Sequence, residues 1–249
     1  MSPDISVIET SSVRDAPLKG FLLWLEQHPT YSSLHGPLRN HIKQGCGPFA
    51  TSRSGTQLIR FSAPLAVFLA AVEYRDIVLA TQDRPPFTDI YIAQSSLELL
   101  PEDLQEDVQT PELVKHVGKG DVYGSSIWLG LEPTYTPLHK DPNPNVFCQL
   151  SGSKVIRIIP PGKGAQVFRE AQQKAGSNSF SPLLSAEMMT GVQRDILHQA
   201  VWEQGTSADI LEATLGPGDA MFIPKGWWHS VKSLGGQGRV NGSVNWWFR

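Results

Sequence analysis

Cysteine is nearly absent. Cys46 and Cys148 are the only two in the chain, and no C-x-x-C pair occurs. That excludes a disulfide framework and a thiolate zinc site, and it points to a reducing, intracellular setting. Basic charge is also short: 21 Lys and Arg face 24 Asp and Glu, for a formal net charge of −3 and a pI of about 6.2. A dedicated nucleic-acid binder needs a cationic surface for phosphate, so this balance argues against one. No apolar run approaches the roughly 20 residues of a bilayer span. The N-terminus, MSPDISVIETSSVRDAP, has neither the basic start nor the apolar core of a signal peptide. Internal repeats and low-complexity tracts are missing too. Together these absences predict a soluble cytoplasmic or nuclear protein, with neither a membrane nor nucleic acid as partner.

What is present is the composition of a folded protein. The 40% hydrophobic and 18% charged content rules out a disordered chain, and 249 residues suit one domain with an extension. Residues 1–16 are polar and read as a loose terminus. From Leu18 to about Ile42, Phe21, Leu22, Trp24 and Leu25 cluster at helical spacing. Ser62 reads as the cap of a further helix, with Pro64 in its first turn and Leu65, Phe68, Leu69 and Val72 on one face. Residues 1–75 are therefore predicted to be a helical extension.

Beyond it the pattern changes to short runs rich in β-branched and aromatic residues, at 76–80, 88–94, 125–131, 146–150, 154–159, 211–215, 220–223, 228–233 and 240–248. Turn clusters such as Asp141-Pro-Asn-Pro-Asn, Pro160-Pro-Gly and Gly216-Pro-Gly-Asp separate many of them. Many short strands with turns between them predict an antiparallel sandwich or barrel over 76–249. The last strand ends one residue before Arg249, so no C-terminal domain is expected. The stretch 162–208, rich in Gln, Ala and Ser, reads as an insertion of helix and loop, expected to cover one mouth of the strands.

The chemically informative segment is Thr136-Pro-Leu-His139-Lys-Asp141. On a strand, positions i and i+2 face the same way, so His139 and Asp141 can reach one metal ion. A third donor, His229 of Trp227-Trp228-His229, follows a Gly-Pro-Gly-Asp turn and an apolar strand. Two histidines and a carboxylate with three open positions form the facial set of non-haem Fe(II) oxygenases. Those positions suit a bidentate 2-oxo acid and O2. H-x-D alone arises by chance; the ordered downstream histidine gives it weight. His28, His35, His41, His116 and His198 fall in helical or loop segments and read as surface or core residues. Cys148 reads as a packing residue, and no activated Ser or Cys nucleophile is visible.

The stretches SIWLGLEPTYTPLHKDPNPNVFCQLSGSKVIRIIPP, LGPGDAMFIPKGWWHSVKSL and SVNWWF resemble the JmjC hydroxylases. Among these are the asparaginyl hydroxylase that inhibits hypoxia-inducible factor and the small JmjC-only hydroxylases. The resemblance covers roughly residues 88–160 and 211–249. It implies a mainly β fold, the double-stranded β-helix (jelly-roll, cupin) barrel, and a dioxygenase using Fe(II), 2-oxoglutarate and O2. Such an enzyme hydroxylates a carbon of a protein side chain or small metabolite and releases succinate and CO2.

By the same resemblance, Lys154 and Thr136 correspond to the residues that bind the distal carboxylate of 2-oxoglutarate, and Tyr91 to the tyrosine that joins them. Asn145 and Asn245 correspond to asparagines near the cosubstrate. Read by itself, Lys154 is an ordinary solvated strand lysine. The aromatic run Trp227, Trp228, Trp246, Trp247 and Phe248 reads as packing. The N-terminal third has only a general likeness, residues 162–208 have none, and the C-terminal helices through which some members dimerise are missing. Two other readings stay open: a metal cupin enzyme that does not use 2-oxoglutarate, and a catalytically silent JmjC-fold binding protein. The intact trio weighs against the second.

Overall fold

The computed structural model describes residues 4–11, 16–45, 58–117, 119–176, 181–183, 191–203 and 209–249. The chain divides into two compact units. One comprises Met1–Gln109, Ser126–Pro133 and Gly235–Gly242, the other Thr110–Ser125, Thr134–Leu234 and Ser243–Arg249. Cys46 lies outside the described residues.

The first unit combines strands β1 (Asp4–Ser11), β2 (Leu58–Pro64) and β3 (Tyr91–Ser96) with helices α1 (Ala16–Gln27), α2 (Ser32–Gly45), α3 (Leu65–Thr81) and α4 (Glu102–Asp107). The strands run in the order β2-β1-β3-β4, where β4 is Val122–Leu131. Phe21 of α1 stacks on Phe87 at 5.1 Å and leans on Tyr74 of α3 at 5.6 Å, which fixes the helices through large apolar contacts.

Three expectations are corrected here. The terminus read as loose forms β1, paired with β2 and β3; Ile5, Val7, Ile8 and Thr10 supply the β-branched content that extended backbone favours. Ser62 lies inside β2, and Pro64 precedes α3 as its cap residue with φ −57° and ψ 145°. The run 76–80, read as a strand, continues α3. No breaker separates it from the helical stripe, and the helix stops only at Gln82, whose φ of 53° lets its N–H close on the Val78 carbonyl at 2.8 Å.

The second unit carries two antiparallel strand sets. One follows the order β11-β6-β9, with β6 (Asn145–Ser151), β9 (Ala220–Ile223) and the end of β11 (Val240–Phe248). The other follows β5-β10-β7-β8, with β5 (Tyr135–Lys140), β10 (Trp228–Ser233), β7 (Lys154–Ile159) and β8 (Leu211–Leu215). The remaining helix before these strands is α5 (Glu112–His116). Phe147, Ile156, Ile158, Leu215 and Val231 form one buried cluster between the two sets.

On the opposite face of the β5-β10-β7 strands, Leu138, Ile159 and Trp228 pack against Phe168, Ala171, Leu197 and Val201. These four come from α6 (Pro161–Lys174), α7 (Gly191–His198) and the π-helical turn Gln199–Glu203. The helices of the 162–208 insertion thus cover the back of this sheet, where a mouth cover was expected. The reason is the spacing of Gly164, Phe168 and Ala171, which puts one small-and-apolar stripe on α6. From the same insertion, the Pro182 carbonyl accepts from the Lys140 N–H at 3.0 Å, at the end of β5.

The fold class is therefore mainly antiparallel β with a helical N-terminal part, as the jelly-roll expectation required.

Candidate metal centre

The turn Pro224-Lys225-Gly226-Trp227 launches β10. The Trp227 N–H bonds the Pro224 carbonyl at 3.1 Å, and Gly226 takes φ +80°, which a side chain would resist. β10 then lies between β5 and β7, with His229 directly opposite His139. Asp141 follows the end of β5. Among the described residues, His139, Asp141 and His229 are the one group of three that brings its donor atoms within 4.8 Å of one another.

All three are buried or nearly so. Burial and the neighbouring His229 push the His139 imidazole down to about 4, against the pull of Asp141. Its ring is thus neutral, with a lone pair to offer, at ordinary pH. Its Nδ1 lies 2.9 Å from the Pro137 carbonyl, a contact that suits a proton on this nitrogen and would leave Nε2 to a metal ion. Burial would raise the Asp141 carboxyl, but its interactions with the neighbouring His229 and His139 and a hydrogen bond from Asn145 hold it below its ordinary value.

The set suits a metal ion. His229 Nε2 and Asp141 Oδ2 stand 3.6 Å apart, too far for a hydrogen bond. Two donors sharing an ion at about 2.1 Å each can be separated by this amount. His229 Nδ1 is buried without a hydrogen-bond partner, so nothing on that side competes for the ring. Two imidazoles and a carboxylate leave room for further ligands on the same ion.

The residues around the trio fall into three groups. Asn145 donates to Asp141 Oδ2 at 2.8 Å, and Asn245 donates to Asn145 Oδ1 at 3.1 Å. The two asparagines therefore form a chain that ends on the carboxylate and fixes its orientation.

Lys154 opens β7 and is 2% exposed; its ammonium donates to Ser243 Oγ at 2.5 Å and lies 5.5 Å from the centre of the Phe147 ring. The register pairs Lys154 with Ser233, Ile156 with Val231 and Ile158 with His229. Alternation then puts Lys154 on the same sheet face as His229. A solvated strand lysine it is not.

Thr136 pairs with Val231, whereas His139 pairs with His229. Three steps along β5 thus match two along β10, a β-bulge in which Pro137 and Leu138 stand opposite Ser230. Simple alternation would turn Thr136 away from His139; the bulge returns it to the same face. Pro137 has no N–H for a ladder, and β5 is an edge strand, where such a residue is tolerated.

Tyr91 belongs to the first unit. It opens β3, pairs in register with Gly130 and Glu9, and its ring stands 6.1 Å from Trp128.

Sequence reading missed Ser243. The signal was Asn241, Ser243 and Asn245, small polar residues at period two in a fully buried stretch of β11. Ser230, whose hydroxyl donates to the Thr136 carbonyl, gave no signal. Of the aromatic run, Trp228, Trp246 and Phe248 are buried.

Residues 59–249 match the cupin-like domain family. The chain belongs to that family. The cupin-like chain is 26% identical over 170 residues to lysine-specific demethylase JMJ30 of Arabidopsis thaliana, covering 68% of this chain and 36% of that protein. It is 30% identical over 155 residues to JmjC domain-containing protein D of Dictyostelium discoideum, covering 58% and 32%. Lysine-specific demethylase 8 of Danio rerio is 29% identical over 161 residues, with 64% and 36% covered. The match thus spans about a third of the length of these curated relatives. Among the described residues no helix is long and apolar enough to cross a membrane.

Proposed function

We propose that this cupin-like chain is an Fe(II)- and 2-oxoglutarate-dependent dioxygenase that hydroxylates a carbon of a protein side chain or small molecule. The observation that carries the reading is the buried His139, Asp141 and His229 trio with Lys154 on the same sheet face. Relatives named lysine-specific demethylases support the oxygenase class and make an N-methyl carbon of a protein lysine one substrate worth testing. A cytoplasmic or nuclear setting is part of the same proposal, on the near absence of cysteine.

His139 and His229 would each hold the iron through an imidazole nitrogen, and Asp141 would supply the charge that favours Fe(II). Asn145, steadied by Asn245, keeps the carboxylate aimed. The ammonium of Lys154 and the hydroxyl of Thr136 would receive the distal carboxylate of 2-oxoglutarate, a charge-assisted contact that burial strengthens. Tyr91 is proposed to join them, on the resemblance of its strand to the JmjC hydroxylases. Bound there, iron with 2-oxoglutarate and O2 would supply the oxidising power to hydroxylate a substrate C–H bond, with succinate and CO2 as the coproducts. The protein's own part is to orient these groups and keep water from them.

The test is an anaerobic titration of the purified protein with Fe(II) and 2-oxoglutarate, following the weak visible charge-transfer band of the chelate. The band should appear and should vanish in His139→Ala. Iron binding without a band would favour a cupin enzyme of other chemistry. No iron binding at all would leave a binding protein.

A further inference from the structure

Thr136 reaches the inner sheet face only through the bulge at Pro137 and Leu138, and the bulge removes a regular ladder contact between β5 and β10. Ser230, the single residue opposite it, is fully buried, and its Oγ donates to the Thr136 carbonyl at 2.8 Å. The same oxygen accepts from Trp202 Nε1 at 3.0 Å. A hydroxyl can do both at once.

Two cations stand against the Trp202 ring. The Arg157 guanidinium lies 4.5 Å and the Lys232 ammonium 4.2 Å from the centre of its ring. Arg157 also donates to the Val201 carbonyl at 2.5 Å and bonds Glu212 at 2.6 Å, which ties the π-helical turn to the sheet. π-Helical turns inside helices recur at functional positions.

We propose that Trp202 and Ser230 are positioning residues for Thr136. The relay from the helical layer on the back of the sheet holds the bulge in register, and so sets affinity for the 2-oxoglutarate carboxylate without touching it. This rests on the reading of Thr136 as a carboxylate anchor given above. The carbonyl that Ser230 holds belongs to the residue whose hydroxyl faces the other way, so slack in one is slack in the other. His139 bonds the Pro137 carbonyl inside the same bulge, but it is also paired with His229 in the ladder beyond it, so the relay should bear on Thr136 more than on the metal trio.

The experiment compares wild type, Ser230→Ala, Trp202→Phe and the double variant, with Thr136→Val and Lys154→Ala as references. Trp202→Phe keeps an aromatic ring beside the two cations and removes the N–H with the five-membered ring that carries it, so it tests the relay even where Ser230→Ala folds poorly. Calorimetry of 2-oxoglutarate binding to the Mn(II)-loaded, non-turning-over protein should show about five- to tenfold weaker binding in Ser230→Ala, which loses the hydrogen bond holding the Thr136 carbonyl as well as the one from Trp202. It should show about threefold weaker binding in Trp202→Phe, and no further loss in the double variant, because Trp202 acts through Ser230. Mn(II) affinity should stay within about twofold of wild type.

Hydrogen exchange of residues 135–140, measured without metal or cosubstrate, should quicken in Ser230→Ala and Trp202→Phe. Unchanged 2-oxoglutarate affinity in both single variants, where wild type binds normally and Lys154→Ala does not, overturns the proposal. If wild type does not bind 2-oxoglutarate at all, the cosubstrate reading falls. The relay is then judged by exchange alone, and unchanged exchange over 135–140 overturns it as well.

Discussion

The ammonium of Lys154 lies 2.5 Å from the hydroxyl of Ser243, and both residues are almost wholly excluded from solvent. Lys154 begins β7 and Ser243 lies in β11, 89 positions further on. The pair holds a cation still at a depth where mobile water cannot compensate for it.

If that cation receives the distal carboxylate of 2-oxoglutarate, Lys154→Ala should raise half-saturation about tenfold or more, because a hydrogen-bonded charge pair is lost. Ser243→Ala should raise it about threefold to fivefold, because the ammonium is only less well placed. Titration of the anaerobic Fe(II) chelate reads both. Equal half-saturation in wild type and Lys154→Ala would remove this lysine from the site.

Asp141→Ala should abolish Fe(II) binding while the far-ultraviolet circular dichroism stays that of the wild type, since the trio closes no core cluster. Asn145→Ala should bind Fe(II) about 10- to 100-fold more weakly, the usual cost of removing the group that orients a metal ligand. Retention of full iron affinity in Asp141→Ala would refute the assigned trio.

The metal-free protein should lose stability on mild acidification. An unfolded histidine titrates near 6.5, whereas burial and His229 bring His139 down to about 4 in the fold. Between those values the unfolded chain binds the extra proton. The stabilisation is complete above about pH 6.5 and is lost as the pH falls towards 4. Asp141, also lowered in the fold, acts in the same direction at lower pH. Urea unfolding in the presence of chelator should show this slope, and His139→Gln should flatten it. An identical slope in the variant would show that other groups carry the acid sensitivity.

Gly164→Ala should destabilise the fold although alanine is the better helix former. A Cβ there would run into the Trp228 ring, which sits beside His229 and packs on Phe168 at 4.8 Å. Overpacking of this kind costs about 1–3 kcal/mol, against a helix-propensity gain of about 1 kcal/mol. Denaturant midpoints decide the sign; an unchanged or higher midpoint would mean that α6 can shift away from the sheet without penalty.

Many of the strands were legible because β6, β7, β10 and β11 are β-branched or aromatic runs, many of them bounded by Pro and Gly turns. The run at 76–80 has the same composition but no boundary, and α3 absorbed it. β1 was missed because serines and acidic residues dilute its Ile and Val. The donor trio could be read because His139 and Asp141 obey period two and His229 follows a turn. The place of Thr136 could not be derived that way. A register jump leaves no trace in alternation, and Pro137 is its only mark in the sequence. The back-face helices could be read as helices, but the face they cover depends on Leu138, Ile159 and Trp228, which look like any other buried strand residues.

The sheet β5-β10-β7-β8 thus has one face for donors and one for its helical cover, and β10 takes part in both. A substitution scan along it should therefore give a two-beat pattern of phenotypes. At Trp228 the protein should be made in smaller amount yet bind metal normally per folded molecule. At His229 it should be made in full and bind none. At Ser230 the signature should be a weakened cosubstrate with both other quantities preserved. Three neighbours would then carry three separable traits, so variation at this strand could tune yield, loading and cosubstrate demand independently.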